Sequence, residues 1–460
     1  MITRRQALSS TLLSGAAPFL SRAAGRKLNV LLIAVDDLNN RLGCYGDPVV
    51  KSPNIDALAR RGVRFDNAYC NYPVCNASRT SLLSGLRPET TQVLGNTTPP
   101  RTTIGDVAFL PEHFRANGYF TARVGKIAHG AYEDAVKWDI SESSAGRRDT
   151  IRGKGGRDRK KAATDGGLAL WWTPTNNDDS EEPDGRTARR IGQIITENRD
   201  KPFFLGCGFH KPHLPWVAPK KYFDLYPPDR IELPNTPAND RDDIPPIALT
   251  HQPADDNLTG ADRRQAIAAY HAATSFMDAQ VGYVLRQLDT LKLWDNTVVL
   301  LFGDHGWHLN EHLGLWRKMS LFEESSRAPL IVAAPGIKPA ATRALTEFVD
   351  IYPSLAELAG LKPPAHALEG TSFTPVLREP ARRWKKAAFT VVSRGRRTLG
   401  HTIRTERYRY TEWDSPGVNE LYDHQADPKE FTNLARDPKN APLVAQMRKA
   451  LNDGWRAALP

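Results

Sequence analysis

Leu28-Asn29-Val30-Leu31-Leu32-Ile33-Ala34-Val35-Asp36-Asp37 is the stretch that decides the fold. Its apolar run lacks the polar alternation of a strand with one wet face, so both faces must be covered, as in parallel sheets flanked by helices. It stops at an acidic pair, where ligand sites of open α/β sheets lie. Similar runs recur at Pro202 to Phe209, Thr297 to Phe302 and Pro329 to Ala334. Between the second and third, Ala261 to Leu291 carries apolar residues at helical spacing and reads as one long helix. Ser52-Pro53 with Ile55, Leu58 and Gly62 reads as a short one. Strands alternating with helices predict an α/β fold, a large mostly parallel sheet sandwiched by helices. After about Pro380 the character changes. Ala387 to Val392 and His401 to Thr411 read as strands and the chain beyond Ala441 as a helix, which together predict a small C-terminal antiparallel sheet plus helix.

The 460 residues are 40% hydrophobic and 25% charged, which excludes a disordered chain and a small disulfide-stapled scaffold. Such a length favours an enzyme over a small binding module. The net charge of +10 is diluted along the chain and describes a mildly basic surface. We expect neither a nucleic-acid partner nor stable membrane insertion. Residues 1–25, with Arg4-Arg5, a short apolar run to Leu20 and Ser21-Arg22-Ala23, read as an export signal of twin-arginine type. The protein is therefore expected outside the cytoplasm, periplasmic or extracellular. The expected organisation is residues 1–25 signal, 26–380 catalytic domain and 381–460 a small α+β subdomain. Arg147 to Lys161 reads as a solvated basic loop, and the proline-rich Pro212 to Pro246 as a long loop framing a site mouth. Of the cysteines Cys44, Cys70, Cys75 and Cys207, the pair Cys70 and Cys75 would close a short disulfide loop in an exported protein.

Two strand ends carry acidic residues, Asp36-Asp37 and Asp304-His305. If those strands are neighbours, three carboxylates meet at one rim, and a hard divalent cation with oxygen ligands relieves their repulsion. The other dense cluster is Cys75-Asn76-Ala77-Ser78-Arg79-Thr80-Ser81-Leu82-Leu83-Ser84-Gly85. A cysteine opening a helix has a depressed pKa and suits a nucleophile or a metal ligand.

The pattern Cys-x-Ala-Ser-Arg-x-x-x-Leu-Ser-Gly resembles the signature of type I sulfatases, of alkaline phosphatase-like fold. The resemblance extends to Asp36-Asp37, Gly125-Lys126-Ile127-Ala128-His129, Phe209-His210-Lys211-Pro212-His213, Asp304-His305-Gly306-Trp307, Trp316-Arg317-Lys318, Tyr408-Arg409-Tyr410-Thr411 and Glu420-Leu421-Tyr422-Asp423. Of these, the segments at Phe209 to His213, Asp304 to Trp307 and Tyr408 to Thr411 look most similar to the iduronate-2-sulfatase branch. The resemblance implies that a maturation enzyme oxidises Cys75 to formylglycine (3-oxoalanine), whose hydrate is the nucleophile. It implies one calcium ion (Ca2+) held by Asp36, Asp37, Asp304, His305 and the modified Cys75. Arg79 would stabilise the hydrate, Lys126 and Lys318 would neutralise the sulfate oxygens, His210 would protonate the departing alcohol, and His129 would take the proton of the second hydroxyl. The implied substrate is a sulfated carbohydrate, with 2-O-sulfated uronate the first to try, and Lys211, Lys220, Lys221 and Arg317 are expected to supply cations for its carboxylate. A phosphonate or phosphate monoester hydrolase and a catalytically silent glycan-binding homologue are the alternatives. Trp307 and Trp316 read as packing residues, and His308 and His312 as loop residues near the pocket.

Overall fold

The computed structural model describes residues 27–143, 170–250, 255, 257–395 and 398–460. The expected signal and the basic stretch Arg147 to Lys161 lie outside the described residues. In chain order the elements used below are β1 (Asn29–Val35), α1 (Pro53–Ala59), β2 (Val63–Phe65), α2 (Cys75–Ser84), α3 (Leu110–Ala116), β3 (Phe120–Gly125), β4 (Ile140–Glu142), α4 (Pro183–Asn198), β5 (Phe203–Phe209), α5 (Gly260–Thr290), β6 (Thr297–Gly303), β7 (Leu330–Ala333), β8 (Ala340–Thr342), α6 (Ile351–Leu358), β9 (Ala387–Arg394), β10 (Thr398–Thr405), β11 (Tyr408–Trp413), β12 (Asn419–Asp423) and α7 (Ala441–Ala457).

One eight-stranded sheet runs in the order β8-β2-β7-β6-β1-β5-β3-β4. All pairs are parallel except those made by β7, which runs against both β6 and β2. β1 sits in the middle and alternates its side chains between two cores. Val30, Leu32 and Ala34 face the layer holding Leu82 and Leu83 of α2, Phe114 of α3 and Leu355 of α6. Leu31, Ile33 and Val35 face Ile191 and Ile195 of α4 and Met277 and Val281 of α5. Helices on both sides explain why the strand is apolar throughout.

Register places the site. Val35 pairs with Phe209 on one side and with Gly303 on the other. Asp36, His210 and Asp304 therefore leave the sheet side by side. On the next strand out Gly125 pairs with Gly208, so Lys126 joins the same rim. That approach needs two glycines: a Cβ at Gly125 would fall 2.0 Å from the Gly208 carbonyl oxygen, and one at Gly208 2.2 Å from that of Lys126.

The C-terminal strands β9 to β12 form an antiparallel meander. Val444 and Met447 of α7 pack on it against Ile403, Tyr410 and Leu421. The meander is bonded to the chain just ahead of α2, where Val391 N–H donates to the Asn71 carbonyl and Thr390 Oγ1 to that of Cys70.

Candidate active site

α2 begins at Cys75 behind an extended Val74 and ends at Gly85, whose φ of 69° is the left-handed cap glycine tolerates. All ten of its residues are buried, and all its polar side chains but that of Ser81 bond inside the protein. Ser78 Oγ donates to the Asp304 carbonyl. Arg79 spreads its guanidinium over four acceptors: Asp304 at 2.8 Å, Asp36 at 3.3 Å and the carbonyls of Lys126 and Ile127 at 2.7 and 3.0 Å. It fixes the spacing of two carboxylates and ties them to the Lys126 loop.

Asp36 receives Lys126 Nζ at 2.6 and 2.7 Å, and its Oδ2 lies 3.4 Å from His210 Nδ1. Burial works to raise this carboxyl, but Lys126, His213, Arg79 and His210 outweigh it and hold it well below the usual range. Asp37 is the opposite case. It has a φ of 59°, and its carbonyl accepts from Tyr270 Oη at 2.9 Å. Its N–H donates to Asp304 Oδ1 at 3.0 Å. Its Oδ1 takes the Lys318 ammonium and lies 3.3 Å from His305 Nε2, whereas Oδ2 is buried without a hydrogen bond, 3.7 Å from His213 Nε2. Burial pushes Asp37 up to about 7 against the pull of Lys318. For His305 burial acts downward, but Asp304 prevails and lifts it to about 9.

Cys75 is 1% exposed. Its Sγ lies 3.4 Å from His305 Nε2, 3.2 Å from Lys318 Nζ and 3.9 Å from Asp37 Oδ1. Burial and Asp36 act to raise the thiol, yet Lys126 and Lys318 carry it below its ordinary value. Two sets of donor atoms lie within 4.8 Å of one another, Asp37-Cys75-His305 and Asp36-Cys75-Asp304. Three buried carboxylates, one with an oxygen lacking any donor, fit a hard cation with oxygen ligands.

The rim thus brings together Asp36, Asp37, Cys75, Arg79, Lys126, His210, Asp304, His305 and Lys318. His129 stands further out, its ring 6.2 Å from that of Tyr132 and its Nδ1 buried without a hydrogen bond. Burial first, and Lys126 next, push it down to about 4. A cavity of about 380 Å³ opens beside this rim, bordered by Lys126, His210, Lys211, Glu133 and Asp184.

Two expectations are corrected. Cys70 and Cys75 are both free: the Cys75 thiol faces Lys318 and His305, while that of Cys70 turns to the Ser325 carbonyl. The cations expected for a carboxylate are mostly engaged elsewhere, Lys220 with Asp224, Lys221 with Asp179 and Arg317 with Asp255. Lys211 borders the cavity, and its ammonium donates to the Pro215 carbonyl at 2.6 Å. Trp307 and Trp316 are packing residues in the core shared with α5. His308 and His312 are fully buried, bonded to Ser320 and Asp240.

Sequence reasoning did not assign His213, Tyr270, Glu133 or Asp184. His213 lies in a segment already singled out, four residues beyond β5, with its ring 4.7 Å from that of His210. Glu133 accepts the N–H groups of Ile127 and Ala128, and Asp184 those of His210 and Lys211. For Asp184 the available signal was an acid in the first turn of a helix begun by Pro183. For Glu133 there was none.

A family model described as sulfatase matches residues 28–361, and one described as the C-terminal region of N-sulphoglucosamine sulphohydrolase matches residues 310–456. A sulfatase of Formosa agariphila is 32% identical, covering 94% of this chain and 88% of that protein. Iduronate 2-sulfatase of Mus musculus is 30% identical, covering 92% and 93%. Among solved structures, a 2-O GAG sulfatase superposes with a TM-score of 0.74 at 28% identity, covering 93% of this chain and 92% of that one.

Proposed function

The chain belongs to the sulfatase family of the alkaline phosphatase-like superfamily and is a sulfuric ester hydrolase, and from that premise we propose that it desulfates sulfated carbohydrates, 2-O-sulfated uronate first among them, through a formylglycine made from Cys75 by a maturation enzyme and with one bound calcium ion. The observation that carries this reading is the convergence of Asp36, Asp37, Asp304 and His305 on Cys75 with two ammonium groups, Lys126 and Lys318, in the same pocket.

Hydrated formylglycine would supply the nucleophilic oxygen, and calcium, which Asp36, Asp37, Asp304 and His305 would hold, would supply positive charge for the sulfate oxygens. The chain's own residues supply the rest. Lys126 and Lys318, braced by Asp36 and Asp37, offer preorganised charge to the sulfate as electrons move toward the leaving oxygen. Arg79 keeps Asp36 and Asp304 at fixed spacing. His210, with Nδ1 turned to Asp36, donates the proton held on Nε2 to the departing alcohol. His129, neutral at pH 7, accepts the proton released in the second half of the cycle.

The names of the mouse relative and of the 2-O GAG sulfatase support a uronate 2-sulfate. Lys211, lining the cavity beside His210 with its ammonium oriented by the Pro215 carbonyl at 2.6 Å, is our assignment for the sugar carboxylate. The test is desulfation of paired uronate and neutral sulfated oligosaccharides, with matched phosphate esters as controls. Lys211→Ala should lower kcat/KM on the uronate sulfate about tenfold or more, the worth of a charge-assisted hydrogen bond, and much less on the neutral sugar. Equal losses would remove Lys211 from specificity, and faster phosphate than sulfate cleavage would remove the substrate reading. We also place the catalytic unit at residues 26–380, the C-terminal subdomain at 381–460, and a twin-arginine export signal at 1–25. Among the described residues no helix is long and apolar enough to cross a membrane.

A further inference from the structure

Asp184 is the second residue of α4 and is 1% exposed. Its Oδ1 accepts the His210 N–H at 2.9 Å and its Oδ2 the Lys211 N–H at 2.8 Å. These are the first two residues beyond β5, so one carboxylate grips the chain where the strand hands it to the site. Two acceptors on consecutive N–H groups fix the direction of the peptide as well as its place. The grip is firm on both sides. α4 is anchored in the core by Ile191, Ile194 and Ile195, and ahead of His210 the carbonyls of Gly208 and Phe209 accept the N–H groups of Lys126 and Asp36, both at 3.1 Å. With its backbone held, His210 has only side-chain torsions left, and its ring is set between Asp36 and His213.

We propose that Asp184 is a positioning residue for leaving-group protonation: its carboxylate sets the peptide from which His210 reaches the ester oxygen. The proposal rests on the reading of His210 as the acid. In that step the sulfur–oxygen bond breaks, its electron pair goes to the sugar oxygen, and the proton passes to that oxygen from His210 Nε2. Asp184→Asn keeps the size but turns an amide N–H₂ toward one of the two backbone N–H groups, which forces the peptide to rotate. A displacement of about 1 Å at a catalytic group costs on the order of 10²-fold. The loss should depend on the leaving group. An alkoxide leaves poorly without a proton, whereas a nitrophenolate leaves unaided.

The experiment compares kcat/KM of the converted wild type, D184N, H210Q and the double variant on a 2-O-sulfated uronate disaccharide and on 4-nitrophenyl sulfate, with a melting temperature for each protein. H210Q should lose about 10²-fold or more on the sugar and less than about tenfold on the aryl ester. D184N should lose about 10- to 10²-fold on the sugar, with the same sparing of the aryl ester. The double variant should match H210Q, because an acid that is absent cannot be misplaced. If H210Q loses equally on both esters, the reading of His210 falls and the proposal with it. If H210Q is selective but D184N loses nothing, loses equally on both esters, or multiplies its loss onto H210Q, the positioning role alone is overturned. Should D184N fail to fold, D184E serves in its place, since it keeps both acceptors on a longer arm and should give the same split through displacement of the peptide.

Discussion

Single residues in this site are set by balances between burial and charge. Asp36 and Asp37 are adjacent and equally buried, yet one is held far down and the other rises to about 7, because Asp36 meets Lys126, His213, Arg79 and His210 while the main counter-charge of Asp37 is Lys318. An added cation answers the imbalance. Two unit charges 4 Å apart interact by about 4 kcal/mol at an effective dielectric near 20. Stripping calcium with a chelator should therefore lower both the melting temperature, by several degrees, and the activity. Asp304→Asn should do the same, and a protein indifferent to chelation in both measurements would refute the metal. Cys75→Ala should remove turnover by more than about 10³-fold while stability changes by no more than about 2 kcal/mol, read from kinetics and melting on the same preparation. His213 shows what a sequence conceals at this scale. Its neighbour His210 was assignable by motif, but that the chain folds back to put a second imidazole 3.7 Å from Asp37 is a matter of loop path.

Elements differ in how far pattern reveals them. β1, β5 and β6 are readable because burial on both faces leaves a long apolar run, and their ends name Asp36, His210 and Asp304 directly. β2, β4 and β8 have three residues each, too few for any periodicity to show. β7 reads as a strand, but its reversed direction follows from the return of the chain over the site between Asp304 and Pro329, which local sequence does not encode. That return contains Asn310, His312, Leu313, Arg317 and Met319 at positive φ, so Lys318 arrives on a path that hydrophobic patterning gives no sign of. The same segment is tied to the C-terminal meander by a buried ionic cluster. Arg409 bridges Glu323 and Glu430, and Glu430 also accepts the Glu323 N–H at 2.8 Å and lies 2.9 Å from His424 Nε2. Burial would raise Glu430, but Arg409 and His424 bring it down to about 2. The folded carboxyl lies below its ordinary 4.5, so its contribution is complete above about pH 4.5 and is lost as pH falls through about 2. Melting between pH 5 and 2 should show that loss, and Glu430→Gln should flatten it while costing about 3 to 5 kcal/mol at pH 7. An unchanged acid profile in that variant would show that the cluster does not govern acid stability.

Across the whole molecule, fold class was legible because strand-helix alternation and double-sided burial are properties of pattern, whereas which strands neighbour each other is not. The convergence of β1 and β6, on which the carboxylate rim depends, entered the sequence reading as a condition and is met by the Val35 to Gly303 register. The meander has a different bearing. Its β9 is bonded to residues 70 and 71, directly before a cysteine that the finished fold leaves 1% exposed. On the proposed conversion, a thiol buried to that degree should be closed to a second enzyme once folding is complete. Folded chain carrying unconverted Cys75 should resist the maturation enzyme, and the same chain opened in urea should accept it, with the mass of the Cys75 peptide as readout; conversion of the folded chain would contradict the burial argument. Time therefore enters the making of the protein. Roughly 300 residues separate Cys75 from β9, and at about 5 to 20 residues per second the ribosome takes about 15 to 60 s to add them. For that interval the door stands open, because the strand that will fasten residues 70 and 71, just ahead of Cys75, has not yet been made.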